Sequence, residues 1–253
     1  MPQASPTQTM PALTARRSDA GIVRFGDRDI AGLMWCGEMY GAPYDLLAAY
    51  LGVRPDRLRG ITARWRAAGY AETGRLGPGP AWCWLTRTGL AATGLNFAAT
   101  PPSLGRLAHL RAVLAARMAL ESSDAGQAGT PWWRSERRLR AAIGGRVATG
   151  HIPDAEVSWP ETPASPYPGE RWAIEVELTP KPLARTQAIM RGLLGRRYGY
   201  TPGVVRRDQP RYDRAVYLTS PRARSVVHRA AATLPGPLQA RVTIRDLPPE
   251  AAC

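Results

Sequence analysis

The sequence predicts an α/β protein, α+β overall, in which a helical N-terminal unit ending in a β-hairpin precedes a second domain with a mixed central sheet. Three observations carry this expectation. Between Asp27 and about Leu95, three short helix-like segments are followed by two β-rich words joined by the turn "GPGP". From residue 129 onward strand-like and helix-like segments alternate, the order of a layered α/β architecture. Hydrophobic residues make up 44% of the chain and charged residues 21%, a composition able to bury a core.

Each element has its own justification. Residues 1–25 are rich in Pro, Thr and Ser and read as a disordered tail. "DRDIAGLMWCGEMYG" reads as a first helix, with Ile30, Met34 and Trp35 at apolar spacing. "APYDLLAAYLGV" is a short second helix stopped by Gly52. "RPDRLRGITARWRAAGY" is a third, with Pro55 at its start and Gly69 at its end. "YAETGRL" and "AWCWLTRTG" are the two hairpin strands, and this unit spans 26–98. "SLGRLAHLRAVLAARMALESS" is a helical connector within 99–128, with Leu107, Leu110 and Leu114 along one face, and "DAGQAGT" is a Gly-rich break. In 129–253 the order is helix ("PWWRSERRLRAAIG"), strand ("HIPDAEVSW"), a Pro-rich loop, strand ("RWAIEVELT"), helix ("LARTQAIMRGLLG"), strand ("RAVYLTS"), helix ("RARSVVHRAAATL") and strand ("ARVTIRDL").

The chain carries 34 Lys and Arg against 20 Asp and Glu, a net charge of +14, and Lys181 is its sole lysine. So positive a chain points to a polyanionic partner, double-stranded DNA first. Arginine-rich composition with abundant Ala, Gly and Pro is also what GC-rich coding produces, so charge indicates the partner class without fixing it. Cys36, Cys83 and Cys253 are far apart, odd in number and form no CxxC pair, so neither a zinc site nor a disulfide framework is indicated. Cys36 and Cys83, set among Trp and Leu, read as small core residues. No apolar run approaches the ~18 residues of a membrane span. The N-terminus lacks the order of a signal peptide, so a cytoplasmic setting is expected. There is no GxxxxGK[ST] loop for ATP. His109, His151 and His228 are scattered, so the His-pair metal site of a rolling-circle relaxase is missing. His151, three residues before Asp154, reads either as a surface histidine or as a group supporting the site described next.

Three helices followed by a hairpin is the order of a winged helix-turn-helix. The stretch "YLGVRPDRLRGITARWRAAGYAETGRLGPGPAWCWLTRTGL" resembles the DNA-binding domain of many bacterial regulators. On its third helix Leu58, Ile61, Trp65 and Ala68 fall on one arc and are expected to pack inward. The opposite arc carries Arg59, Gly60, Ala63, Arg66 and Ala67, flanked by Arg57 and Arg64. Small residues between arginines let a helix sit deep in a major groove while guanidiniums reach phosphates or guanine edges. Arg75 and Arg87, at the wing strands, are expected on the adjacent backbone. A solvated arginine face, or a winged helix that contacts protein, is the competing reading.

The second half concentrates acids around "RWAIEVELTPKP", residues 171–182. Read as a strand, it points Trp172, Ile174, Val176 and Leu178 one way, and Glu175 and Glu177 the other, with the two carboxylates about 7 Å apart. If the strand bearing "HIPDAEV" pairs with it, Asp154 comes near Glu175. An Asp and a Glu converging at a sheet form a hard-oxygen site suited to Mg²⁺ or Mn²⁺. Exposed acids on a solvated strand edge are the plain alternative. Lys181 lies four residues past Glu177, about 13 Å on if the strand ran straight, but Pro180 and Pro182 favour a bend there.

Helix with Glu136, strand with "PD" (Pro153, Asp154) and strand with "ExE" (Glu175, Glu177), then a helix, is similar to the PD-(D/E)xK nuclease fold, the restriction-endonuclease-like α/β domain. Joined to a winged helix, and with "IPDA", "IEVELTPK" and "RYDRAVYLTS", the chain resembles the replication-relaxation family over about residues 27–235. That family occurs in actinobacterial and other Gram-positive plasmids and integrative elements. The resemblance implies that Asp154 and Glu175 are metal ligands, that the Val176 carbonyl is a third, and that Glu136 supports them. It implies a role in replication or transfer, as a Mg²⁺-dependent endonuclease or nickase, with a homodimer or other replication proteins as partners. The pattern departs where a lysine is expected two positions after Glu175: Glu177 stands there. Either Lys181 is a displaced lysine, or the site is degenerate and the protein a non-catalytic DNA-binding regulator or replication accessory.

Overall fold

The computed structural model describes residues 25–143, 151–195 and 211–251. The tail expected over 1–25 therefore lies almost entirely outside the described residues, as does Cys253. The N-terminal unit opens with helix α1 (Asp27–Glu38), a two-residue strand β1 (Ala42–Pro43), and helices α2 (Tyr44–Tyr50) and α3 (Pro55–Ala67). Strands β2 (Ala71–Gly74) and β3 (Trp82–Leu85) follow, then helix α4 (Arg87–Ala92). The three strands form one antiparallel sheet in the order β1-β3-β2. Pro55 opens α3 at its first turn, and Gly69 ends it at φ +73°, a left-handed position that glycine adopts without strain.

On α3, Leu58, Ile61 and Trp65 are buried as the periodicity predicts, and Thr62 joins them. The Trp65 ring abuts α1 at Gly32, where a Cβ would stand 2.6 Å from Cη2, so glycine permits this close approach. On α1 the buried stripe is Leu33, Trp35 and Cys36, whereas Ile30, expected inside, is 45% exposed. The helix turns its Asp29 inward instead, to accept hydrogen bonds from Trp65 Nε1 at 2.8 Å and Arg64 at 2.9 Å.

Helix α5 (Leu107–Ser122) runs from the N-terminal unit into the second half, followed by the short helix α6 (Asp124–Gly129). Strand β4 (Trp132–Ser135) then leads directly into α7 (Glu136–Ile143). Beyond it come β5 (Ala155–Ser158), β6 (Arg171–Glu177), α8 (Leu183–Leu194), β7 (Arg214–Thr219), α9 (Pro221–Ala232), the single turn α10 (Gly236–Gln239) and β8 (Val242–Asp246). The sheet order is β4-β5-β6-β7-β8: antiparallel from β4 to β6, parallel from β6 to β8. The expected α/β character with a mixed sheet is thus present.

Three expected boundaries move, and one cause accounts for them. "DAGQAGT" is helical because Ser123 Oγ accepts from the Gly126 N–H at 3.1 Å. "PWWR" is a strand rather than the start of a helix, since Ser135 Oγ accepts from Arg138 N and starts α7 only at Glu136. Arg87 is not on a strand but is the first residue of α4, because Thr86 Oγ1 caps that helix through the Gly89 N–H. In each case a hydroxyl satisfies an orphan amide at a helix start.

Strand β6 is central, and both its faces are covered, as parallel neighbours with crossover helices require. Trp172, Ile174 and Val176 join the larger core, which continues through α5 (Leu110, Val113, Leu114) into the N-terminal unit. Ala173, with Ala215 and Tyr217 of β7, packs under Ile189, Met190 and Leu193 of α8 and Val227 of α9. The two halves are also joined by buried charge. Glu38 of α1, 6% exposed, takes Arg138 of α7 at 2.6 Å and Arg117 of α5 at 3.0 Å. Arg137 donates to the carbonyls of Gly37 and Ala98. A buried carboxylate with two guanidiniums costs little only while all three remain in place.

Candidate functional site

The antiparallel ladder pairs Ala155 with Ile174, so Asp154, one residue earlier, stands opposite Glu175. Asp154 is held on three sides. Its Oδ2 accepts from the Val176 N–H at 2.8 Å, its Oδ1 meets His109 Nε2 at 2.8 Å, and its carbonyl accepts from the Glu136 N–H at 2.9 Å. Glu175 is 1% exposed, and its Oε1 lies 2.7 Å from His151 Nε2. Glu177, 3% exposed, carries Lys181 Nζ on Oε1 at 2.5 Å. The chain does bend at "TPKP": Ser220 fastens the turn by donating its N–H to the Glu177 carbonyl and its hydroxyl to the Leu178 carbonyl. The lysine absent from the strand therefore returns to the acids from the following loop.

Burial sets the proton affinities. It pushes Glu175 from 4.5 up to about 7, with the Asp154 charge adding to the rise while His151 and Lys181 oppose it. Burial also raises Glu177 against the pull of Lys181. Burial alone would lower the His109 pKa, but its bond to Asp154 outweighs that and leaves it raised. Tyr217 pairs with Glu175 in the parallel ladder, and its buried hydroxyl has no hydrogen-bond partner among the described residues. Burial, then Glu175, Glu177 and Asp154, push that phenol well up.

The remaining acid, Glu136, is the first residue of α7 rather than part of a longer helix. Its carboxylate is taken by Arg106 at 2.7 Å and Arg140 at 2.8 Å, so its link to the cluster is through its backbone. Between Glu136, Arg106, His109, Tyr40 and Asp154 lies a cavity of about 10 Å³, on the scale of one water or ion. Among the described residues no three His, Cys, Asp or Glu are grouped to hold a metal. Glu175 does not line that cavity, so an ion held by both Asp154 and Glu175 would sit between β5 and β6 and complete its shell with backbone, water or substrate oxygens. That is how Mg²⁺ is ordinarily held, so the donor set fits a hard cation.

On the other half, Arg57, Arg59 and Arg66 are exposed on α3 as expected, with Gly60, Ala63 and Ala67 between them. Arg64 differs, since its guanidinium is paired with Asp29. Arg75 is exposed in the loop after β2, and Arg87 is exposed on α4. Arg66, Ala63 and Ala67 line an open groove of about 520 Å³ together with Ala71, Glu72 and Thr86.

Sequence reading missed His109 and Tyr217 and left His151 undecided. Only His151 had a local signal, its spacing from Asp154. His109 reaches Asp154 from 45 residues away, on a helix read as a connector.

Glu175 yields a pH prediction in the absence of divalent ions. Its folded pKa lies above its unfolded value, so the folded chain holds the proton more tightly and stability falls as pH rises from about 4.5 to about 7. Glu175→Gln is expected to be more stable than the wild type above pH 7, by on the order of 1–3 kcal/mol. The gain should vanish toward pH 4.5. Thermal midpoints in EDTA at either end of that window test it; an equal difference at both ends contradicts it.

Comparison with known proteins adds no relative: no family model, curated protein or solved structure matches the chain.

Proposed function

We propose that this chain is a DNA-binding protein whose second half carries a divalent-cation-dependent site for cleaving or nicking a phosphodiester, serving replication or transfer of a plasmid or other mobile element. The observation that carries the reading is the meeting of Asp154 with Glu175 across β5 and β6, with Lys181 folded back onto Glu177. A restriction-endonuclease-like arrangement accounts for these acids on a mixed sheet flanked by helices. A winged helix accounts for α1, α2 and α3 followed by an antiparallel ribbon. The mobile-element setting rests on the sequence resemblance alone: "IPDA", "IEVELTPK" and "RYDRAVYLTS" behind a winged-helix-like unit.

Chemically, a bound Mg²⁺ or Mn²⁺ would polarise the phosphate and acidify a water. The side chains divide the remaining work. Asp154 is oriented by His109 and the Val176 N–H, which fixes its carboxylate beside the β6 backbone at Val176, next to Glu175. Glu175, with a pKa near 7, exchanges a proton at neutral pH, and His151 Nε2 stands beside Oε1 to share it. Lys181 brings an ammonium to the edge of the cluster, where negative charge develops on a phosphate. The test is incubation of supercoiled plasmid with Mg²⁺ or Mn²⁺; nicked or linear product is expected, and its absence with every metal defeats the enzymatic reading.

A second reading, a non-catalytic DNA-binding regulator or replication accessory, is favoured by one observation: Asp154, Glu175 and Glu177 each already hold a partner from this chain. Both readings require DNA binding through α3. Arg59→Ala/Arg66→Ala is expected to weaken duplex binding and to flatten its salt dependence by about 0.9 for each phosphate left without its arginine. Anisotropy titrations over a salt series check this, and unchanged binding would remove α3 as the recognition helix.

A further inference from the structure

Two residues along β5 from Asp154, on the same face, stands Glu156, 4% exposed. It is bound by Arg134 of β4 at 3.0 Å and Arg171 of β6 at 3.1 Å. These two arginines, Arg211 and Tyr212 line a cavity of about 200 Å³ that α7 borders through Leu139 and Ala142. The guanidiniums of Arg171 and Arg211 both lie over the Tyr212 ring, 5.4 and 5.3 Å from its centroid. Two guanidiniums thus bind one carboxylate while a third lines the same cavity, and Arg211 makes no ion pair among the described residues. Neutralising Glu156 explains two of the arginines; it explains neither the third nor the cavity. Each guanidinium has five N–H donors, and Glu156 takes only one nitrogen from each of its partners.

We infer that this pocket seats a phosphate of the DNA backbone neighbouring the one presented to Asp154 and Glu175. The inference rests on the DNA-binding reading above and adds the subsite that sets the strand's position. Spacing supports it, since two strand residues place the pocket roughly 7 Å from the acids. Chemistry supports it, since planar guanidiniums match phosphate oxygens in pairs. One row further out, Trp132 is 58% exposed with Arg134 5.6 Å from its ring, an aromatic surface on which a base can stack.

The test is a salt series of duplex-binding titrations in EDTA, which separates binding from hydrolysis, comparing wild type, Arg211→Ala and Arg191→Ala. Arg191 is exposed on α8 and outside the pocket, and its loss removes the same charge. Arg211→Ala is expected to weaken binding several-fold and reduce the salt slope by about 0.9, while Arg191→Ala leaves the slope unchanged. Equal slopes in all three proteins overturn the subsite, as does equal weakening by both variants. If inorganic phosphate binds the wild type as tightly as the duplex does, the pocket serves a free anion and the DNA assignment falls. A wild type that binds duplex but nicks no plasmid overturns the cleavage reading and leaves the slope comparison intact; a wild type that binds no duplex overturns both.

Discussion

Asp154→Asn is expected to reduce plasmid nicking by roughly 10²-fold or more, the scale on which loss of one group stabilising the transition state is felt, while leaving the fold in place. The substitution keeps the shape and one acceptor oxygen, so the Val176 N–H that Asp154 Oδ2 now satisfies keeps a partner. What it removes is the negative charge opposite Glu175 and the charged partner of His109. Single-turnover nicking rates, read beside the thermal midpoint of the same preparation, separate lost chemistry from lost structure. A variant that folds and nicks at the wild-type rate would place the chemistry elsewhere in the chain.

Trp65→Ala is expected to have the largest effect on stability, about 3–5 kcal/mol. The ring is fully buried between α3 and α1, against Gly32, so its truncation leaves a cavity in the core. It also donates to Asp29, itself buried, whose pKa is held down, against the effect of burial, by Trp65, the Gly26 N–H and Arg64. Removing the indole leaves that carboxylate with two partners. Because one core runs from α3 through α5 to β6, the loss is expected in a single denaturation transition, with duplex binding falling alongside it. Trp65→Phe, which retains most of the volume but no N–H, should fall between. Urea denaturation measures both, and a Trp65→Ala loss below about 1 kcal/mol would contradict the packing described.

Periodicity in the sequence was enough to find α3, β6, α8 and α9, because each buries a face whose spacing is written in consecutive residues. The caps were written there too, but in single hydroxyls: Thr86, Ser123 and Ser135 each start a helix, and passing over them misplaces Arg87 and hides β4. For the site, alternation in "WAIEVEL" placed Glu175 and Glu177 on one face, and "HIPDAEV" placed Asp154 beside them. Their burial was not legible, since it depends on α8 and α9 covering the face of β6 that alternation alone leaves open. Prolines 180 and 182 announced a bend but not its direction; Ser220, a residue of the next crossover, fixes that. His109 reaches Asp154 from α5, and Arg134, Arg171 and Arg211 meet around one cavity, only through the tertiary fold, from positions that share no local pattern.

The divalent-cation site proposed at Asp154 and Glu175 can be probed by calorimetric titration of the wild type with Mn²⁺, with Asp154→Asn and Glu175→Gln titrated in parallel. Saturable binding that releases protons near neutral pH, because Glu175 must ionise, and that is lost in both variants, is the expected result. Binding that persists unchanged in both variants, or no saturable binding by the wild type, would contradict it.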